Sequence, residues 1–300
     1  MQATQTPPGT VAKPVIPEDI ARFETKRRSI RRSVRAFLDR EPQRFQGSRV
    51  LDLPAGQGLT SGRLTELGAR VDPFDLFPEA FRVQGLECRR ADVMEGVPVE
   101  AGTYDYAFCQ EGIEHFSDQF KALRELNRVL KVGGHLYLTT PNYSNLRAKV
   151  SYLLCESELS GRRAPLNERD DVWIPEKADG AIYFGHVFLT GVMRLRVQAR
   201  LAGFELKRVL PTRWRTSALM LFPFLYPPIW WATRRSCRKA LARHAHDPKA
   251  RDLYDELHRL GTNRDVLLGS HLFLEFEKIV GTASGTQVPP AGSDAANCSA

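Results

Sequence analysis

The sequence predicts an α/β protein built on a doubly wound, seven-stranded, mostly parallel sheet with helices on both faces. Three observations predict it. From Arg49 onward, short apolar runs alternate with helical patterns, the rhythm of strand–helix–strand units. The first run, VLDL (50–53), enters the glycine-bearing turn Pro54-Ala55-Gly56-Gln57-Gly58 before a helix. Acidic residues then recur at predicted strand ends, as Asp52, Asp75 and Asp92, on the side where such sheets bind ligands.

Residues 1–18 contain four prolines and are expected to be a mobile lead; residues 281–300 are expected to be a disordered tail. A single domain, 19–280, lies between. Residues 19–39 read as one helix with Phe23, Ile30, Val34 and Phe37 as a thin apolar stripe and arginines around it. Those arginines suit either a solvated face or contact with acidic lipid or nucleic acid.

VLDL is the first strand, and a helix over 59–67 follows the turn. ARVDPFD is the second strand, ending at Asp75, and a third precedes Asp92. TYDYAFC (103–109) is the fourth. Ser117 is expected to cap a helix presenting Leu123, Leu126 and Leu130 on one face, stopped by Gly133-Gly134. HLYLTT (135–140) is the fifth strand, and 143–185 is an insertion of helix and loop. A helix ending at Gly203, strand FELKRVL and strand GSHLFLEFEKIV (269–280) complete the sheet. A second insertion, 211–265, closes with a helix capped by Asp247, with Pro248 at its first position and Gly261 as its stop.

The composition, 42% hydrophobic and 26% charged, excludes a wholly disordered chain, a collagen-like fibre and a multi-span membrane protein. A formal charge of +8 suits a polyanionic partner without specifying one. The 5 cysteines are scattered without metal-type spacing, which points to a reducing, cytoplasmic setting. The N-terminus has no basic stretch leading into an apolar run, so no signal peptide is expected.

The turn at Ala55, Gly56 and Gly58 lets backbone approach a ligand, and the helix behind it favours negative groups. Asp75, nineteen positions beyond Gly56, is placed to accept both hydroxyls of a ribose. Asp92, with Val93 beside it, suits an exocyclic adenine amine. A nicotinamide dehydrogenase shares this plan, but its fingerprint needs a third glycine where Ser61 stands.

The ordered set VLDLPAGQG, GARVDPFDLFPE, ADVMEGVP, YDYAFCQEGIEHF, LRELNRVLKVGGHLYLTTPN and ARLAGF resembles the class I S-adenosylmethionine-dependent methyltransferases. Within them it is most similar to the bacterial group that includes the ubiquinone-biosynthesis O-methyltransferases. The resemblance is dense over 49–142 and loose over 186–210. It implies a Rossmann-like fold with S-adenosylmethionine as cofactor. It implies that Gly56 and its turn meet the methionine part, that Asp75 binds ribose and Asp92 adenine, and that Gln110 sits beside the sulfonium. Pro54 departs from the family, which usually has a glycine there. Asp52 either touches ligand or only braces the loop.

After the fourth strand come Glu111, Glu114 and His115, two carboxylates and an imidazole able to serve as general base or to hold a divalent cation. In the ubiquinone-type enzymes the matching set is linked to a metal, so the resemblance implies a cation such as Mg2+ here; the other reading is that Glu114 and His115 only tie the loop down. His186 is a second candidate base, and His135 is expected to be structural.

The segment Thr216–Thr233 carries no charge, is rich in Trp and Phe, and is flanked by arginines. Such residues belong at a membrane interface, and Pro223, Pro227 and Pro228 make a continuous spanning helix costly. A lid over the active site or a homodimer contact is the other reading. The expected partner is therefore a small-molecule or lipid-linked acceptor, met at an anionic membrane surface on the inner face of the cytoplasmic membrane. Nucleic acid is not expected as substrate, because no Asn-Pro-Pro-Tyr-like loop follows strand four. A cofactor-binding scaffold without turnover is the non-enzymatic alternative.

Overall fold

The computed structural model describes residues 14–157, 166–173 and 183–279. The expected tail 281–300 and most of the lead lie outside them. Within the described part of the lead, Val15 is bridged to Gln84.

The strand–helix rhythm becomes β1 (Arg49–Asp52), α3 (Leu59–Glu66), β2 (Arg70–Asp75), β3 (Arg89–Arg90), β4 (Tyr104–Gln110), α4 (Gln119–Val129) and β5 (Leu130–Pro141). These are preceded by α1 (Glu18–Thr25) and α2 (Ile30–Arg40). After β5 come α5 (Leu146–Cys155), α6 (Glu168–Asp171), β6 (Val172–Trp173), β7 (Tyr183–Phe184), α7 (Val192–Leu201) and β8 (Phe204–Val209). The chain continues through α8 (Thr216–Arg243), α9 (Ala250–Gly261), α10 (Arg264–Leu268) and β9 (His271–Lys278).

The seven strands of the main sheet lie in the order β3-β2-β1-β4-β5-β9-β8. The first five are parallel, and β9 runs antiparallel between β5 and β8. The order reverses between β1 and β4, and a crevice opens there beyond the strands' carboxyl ends. One face of the sheet packs on α4 and α7 through Leu123, Leu126, Leu195 and Phe276. The other packs on α2 and α3 through Phe37, Phe45, Phe108, Tyr137 and Phe273. His135 is structural as expected, its Nδ1 3.0 Å from the buried Glu275 carboxylate.

Several boundaries differ from expectation. The helix expected over 19–39 is two helices, because Ser29 turns extended and its side chain accepts the Arg31 N–H to start α2 afresh. Asp118, not Ser117, caps α4, accepting from the Lys121 N–H. The helix stops at Val129 without reaching Gly133-Gly134, since Leu130 already pairs with Tyr104 as sheet. Asp247 does not cap α9: its carboxylate accepts from the Lys249 N–H one turn earlier, and Lys249 is the boundary residue. The first insertion holds a two-stranded ribbon, β6–β7, besides helix.

The largest departure is α8, a single helix of 28 residues running through all three prolines. A proline withholds an N–H from the carbonyl four residues earlier, here those of Leu219, Pro223 and Phe224. All three residues are exposed, so water can take the place of the missing donors. The opposite face, Ala218, Phe222, Leu225 and Ile229, packs on α5 and α10. Among the described residues, no helix is long and apolar enough to cross a membrane.

Candidate active site

The turn after β1 is fixed by backbone. Ala55 donates its N–H to the Phe74 carbonyl at 2.9 Å. Gly56 and Gly58 take φ of +53° and +88°, conformations that glycine adopts without the penalty of a side chain. Asp75, at the end of β2, accepts the Gly56 N–H at 2.7 Å on one oxygen and the Phe77 N–H at 2.8 Å on the other. A carboxylate offers about four lone-pair positions, so two remain for a diol. Asp92 accepts the Met94 N–H at 2.8 Å through one oxygen.

Beyond these strand ends is a cavity of about 450 Å³. Asp75, Asp92 and Val93 line it, with Leu76, Phe77 and Met94 supplying apolar walls. Pro54 lines it too, so the residue that departs from the family stands at the cavity itself. Asp52, Ala55, Gly56, Gly58 and Gln110 flank it without forming its wall. Gln110 donates to Thr60 Oγ1 at 2.7 Å.

Asp52 braces the loop by accepting the Ser61 hydroxyl at 2.6 Å, yet its other oxygen is buried without a partner. Burial, and secondarily the charge of Asp75, push its carboxyl up to about 7. An unpaired buried oxygen beside a glycine turn is an opening for a cationic or N–H donor.

The loop after β4 separates its three candidates. Glu111 has a φ of +50°, a conformation rare outside glycine and often found at functional sites. Its N–H donates to the Thr139 carbonyl and its carboxylate accepts from Thr139 Oγ1 at 3.1 Å, while His271 Nε2 lies 3.5 Å away. Burial, then the neighbouring Glu114, raises its carboxyl well above the usual range. Glu114 is buried with one oxygen unpartnered, and burial raises it too.

His115 lines the cavity. Its Nδ1 is 2.8 Å from the Phe184 carbonyl; a carbonyl only accepts, so Nδ1 carries a proton, and in the neutral tautomer that fits this bond Nε2 is the acceptor. His186 stands next to it, ring centres 5.6 Å apart.

The expected cation centre is not assembled. The 3-10 turn Ile113–His115 sends Glu114 inward and His115 outward, and Glu111 is engaged by Thr139. Among the described residues, no three His, Cys, Asp or Glu side chains are grouped to hold a metal. A divalent cation does not fit this arrangement.

Sequence reasoning missed the far wall, Tyr183 and Phe184, although the Tyr183 ring packs against Phe77 at 5.1 Å. It also missed the Glu111–His271 contact. Among the described residues no part of α8 lines this cavity, and α8 packs instead on α5 and α10.

A family model described as "Methyltransferase domain" matches residues 23–209. The chain belongs to the class I S-adenosylmethionine-dependent methyltransferases. Two similar relatives are both described as "Ubiquinone biosynthesis O-methyltransferase". That of Xanthomonas oryzae pv. oryzae is 39% identical over 105 residues, which is 32% of this chain and 44% of that protein. That of Xanthomonas axonopodis pv. citri is 36% identical over the same shares. The chain thus matches less than half the length of these relatives. Among solved structures, the YcgJ protein from Bacillus subtilis is 15% identical with a TM-score of 0.48, covering 84% of this chain and 100% of that one.

The cavity fits the methyltransferase cofactor: at its wall Asp75 keeps acceptor positions that would suit a ribose diol, and Asp92 keeps one that would suit an adenine amine. The raised carboxyls also set a pH dependence. Asp52, Glu111 and Glu114 bind protons in the folded state that the unfolded chain releases near pH 4–4.5, so between there and about pH 8 they make stability fall as pH rises. His271 opposes them in acid: burial, then Arg215, lowers it to about 4, and its contribution is lost as pH falls below 6.5. Thermal unfolding should therefore be higher at pH 6.5 than at pH 8, by ~2 °C or more, since ~1 kcal/mol moves Tm by about 2–4 °C at such lengths. Equal or higher Tm at pH 8 would contradict the burial assigned to these groups.

Proposed function

We propose that this methyltransferase methylates a hydroxyl oxygen on a small or lipid-linked apolar acceptor, with His115 as general base, at the inner face of the cytoplasmic membrane. The observation that carries the reading is the Nδ1 contact of His115 with the Phe184 carbonyl, which fixes the ring at the cavity wall and leaves Nε2 as its other nitrogen to meet an acceptor proton. When bound, S-adenosylmethionine supplies a sulfonium methyl group open to in-line displacement. With that group held beside Asp75 and Asp92, the chain's own part would be to position the acceptor hydroxyl and exclude water. The hydroxyl proton passes to His115 Nε2. Leu76, Phe77, Phe116 and Tyr183 exclude water and favour an apolar ring or chain. Glu111 and Glu114 act on the loop that carries His115, and His186 orders its outer side.

Two facts support the finer points. The Xanthomonas relatives are described as O-methyltransferases of ubiquinone biosynthesis. The outer face of α8 leaves Leu219, Met220, Phe224 and Trp231 exposed ahead of Arg234, Arg235, Arg238 and Lys239, apolar and basic surface suited to an anionic interface. In a flotation experiment the chain is expected to rise with phosphatidylglycerol vesicles and to lose this on Trp230→Ser with Trp231→Ser, while remaining folded. It should methylate a prenylated phenol carried in those vesicles. A chain that stays at the bottom of the gradient refutes the membrane part; no transfer to any hydroxyl probe refutes the acceptor part.

A further inference from the structure

A second cleft is larger than the cofactor cavity. It has about 660 Å³ and lies between the start of α2, the end of β8 and the first turn of α8. Its rim carries Arg27, Arg32, Arg40 and Arg213, with Ser29 and Ser33 between them. None of the four guanidiniums has a hydrogen bond or ion pair with a described residue, whereas other arginines nearby are paired. Arg208, on the same wall, is taken by Glu275 and, at 3.0 Å, by Glu41. Glu41 is the one carboxylate among the lining residues, and Arg44 holds it as well at 2.8 Å. The arginines left over therefore line one cleft whose single carboxylate, Glu41, is already taken, and like charges so gathered repel unless an anion joins them.

The floor differs in character. Phe37, Leu210 and Phe273 are buried beneath the arginines, and Trp214 stands exposed at the mouth, where α8 begins. A small multivalent anion would meet the forks of several guanidiniums, a geometry suited to phosphate oxygens. The Ser29 oxygen accepts the Arg31 N–H at 3.2 Å, which leaves its hydroxyl proton to donate. An apolar stem attached to the anion could lie along Phe37 and Trp214 toward the outer face of α8.

We propose that this cleft is a binding site for the phosphate or diphosphate group of an amphiphilic molecule, held by Arg27, Arg32, Arg40 and Arg213. The site is separate from the cofactor cavity and rests on the membrane reading only for the origin of its ligand. A polynucleotide is the weaker occupant, because the floor between these arginines is apolar, Phe37, Leu210 and Phe273, and suits a stem better than a run of phosphates.

Inorganic pyrophosphate, titrated into the full chain by calorimetry at low salt, tests the proposal. One site is expected, weakened at least tenfold by Arg32→Gln with Arg213→Gln and unchanged by Trp230→Ser with Trp231→Ser. Arg32→Lys with Arg213→Lys, which keeps the charge and removes the forks, should give a smaller loss and serves if the first pair does not fold. Phosphatidylglycerol vesicles separate the two sources. If the glutamine pair loses vesicle binding as well, the group belongs to a lipid headgroup; if it loses pyrophosphate alone, the group belongs to a substrate-sized molecule. No pyrophosphate binding, equal binding by the glutamine pair, or binding of a single-stranded oligonucleotide in place of pyrophosphate overturns the proposal. S-adenosylmethionine binding by the same variant, expected to be intact, keeps this outcome distinct from failure of the methyltransferase reading.

Discussion

Replacing His115 with asparagine is expected to lower kcat for methyl transfer by ~10²–10⁴-fold, the usual reach of general-base catalysis. His115 sits on the cavity wall and not in the core, so the variant should fold. It can still offer an amide N–H to the Phe184 carbonyl, which keeps the loop's tie to the first insertion. What asparagine lacks is a basic nitrogen where Nε2 stood. Affinity for S-adenosylmethionine should stay within a few-fold, because the groups assigned to ribose and adenine are elsewhere. Unchanged turnover would remove His115 from the chemistry and leave it a bracing role.

Asp75→Ala should have the second large effect, on binding. The substitution strands two backbone donors, Gly56 N–H and Phe77 N–H, and removes the acceptors assigned to the ribose. Losses of ~1–3 kcal/mol attend such stranding, about 5- to 150-fold in Kd for S-adenosylmethionine. Asp75→Asn should be intermediate, since its amide keeps one acceptor but turns an N–H toward one of the two donors. Asp52 supplies a second readout: Asp75 raises its carboxyl, so either change should let Asp52 ionise at lower pH. Wild-type affinity in both variants would place the ribose elsewhere.

The sheet was legible because its strands are short apolar runs and its ligand end is marked by acids at strand termini. Asp75 and Asp92 could be placed on the cavity from strand ends alone, as could the glycine turn beside it. Features that depend on contacts remote in sequence were not legible. The wall at Tyr183–Phe184 contributes a backbone carbonyl to His115, and a carbonyl has no side-chain signature. His271 reads as one position in an alternating strand; only the antiparallel insertion of β9 beside β5 brings it to Glu111. The Glu111–Glu114–His115 set looks like a metal centre when its spacing alone is read, but a 3-10 turn points its members apart. Helix α8 shows the converse failure. Proline is a sound local signal against helix, and here tertiary packing of Phe222, Leu225 and Ile229 overrides it while the broken hydrogen bonds face solvent. The break between α1 and α2 did have a local signal, Ser29 ahead of Ile30, hidden by good helix formers on both sides.

The central claim is that the cavity between Asp75, Asp92 and His115 holds S-adenosylmethionine. Isothermal titration of the full chain with S-adenosylmethionine tests it most directly. The structure predicts one site, competed by S-adenosylhomocysteine and weakened by Asp75→Ala; binding of neither compound, at protein and ligand concentrations reaching millimolar, would contradict it.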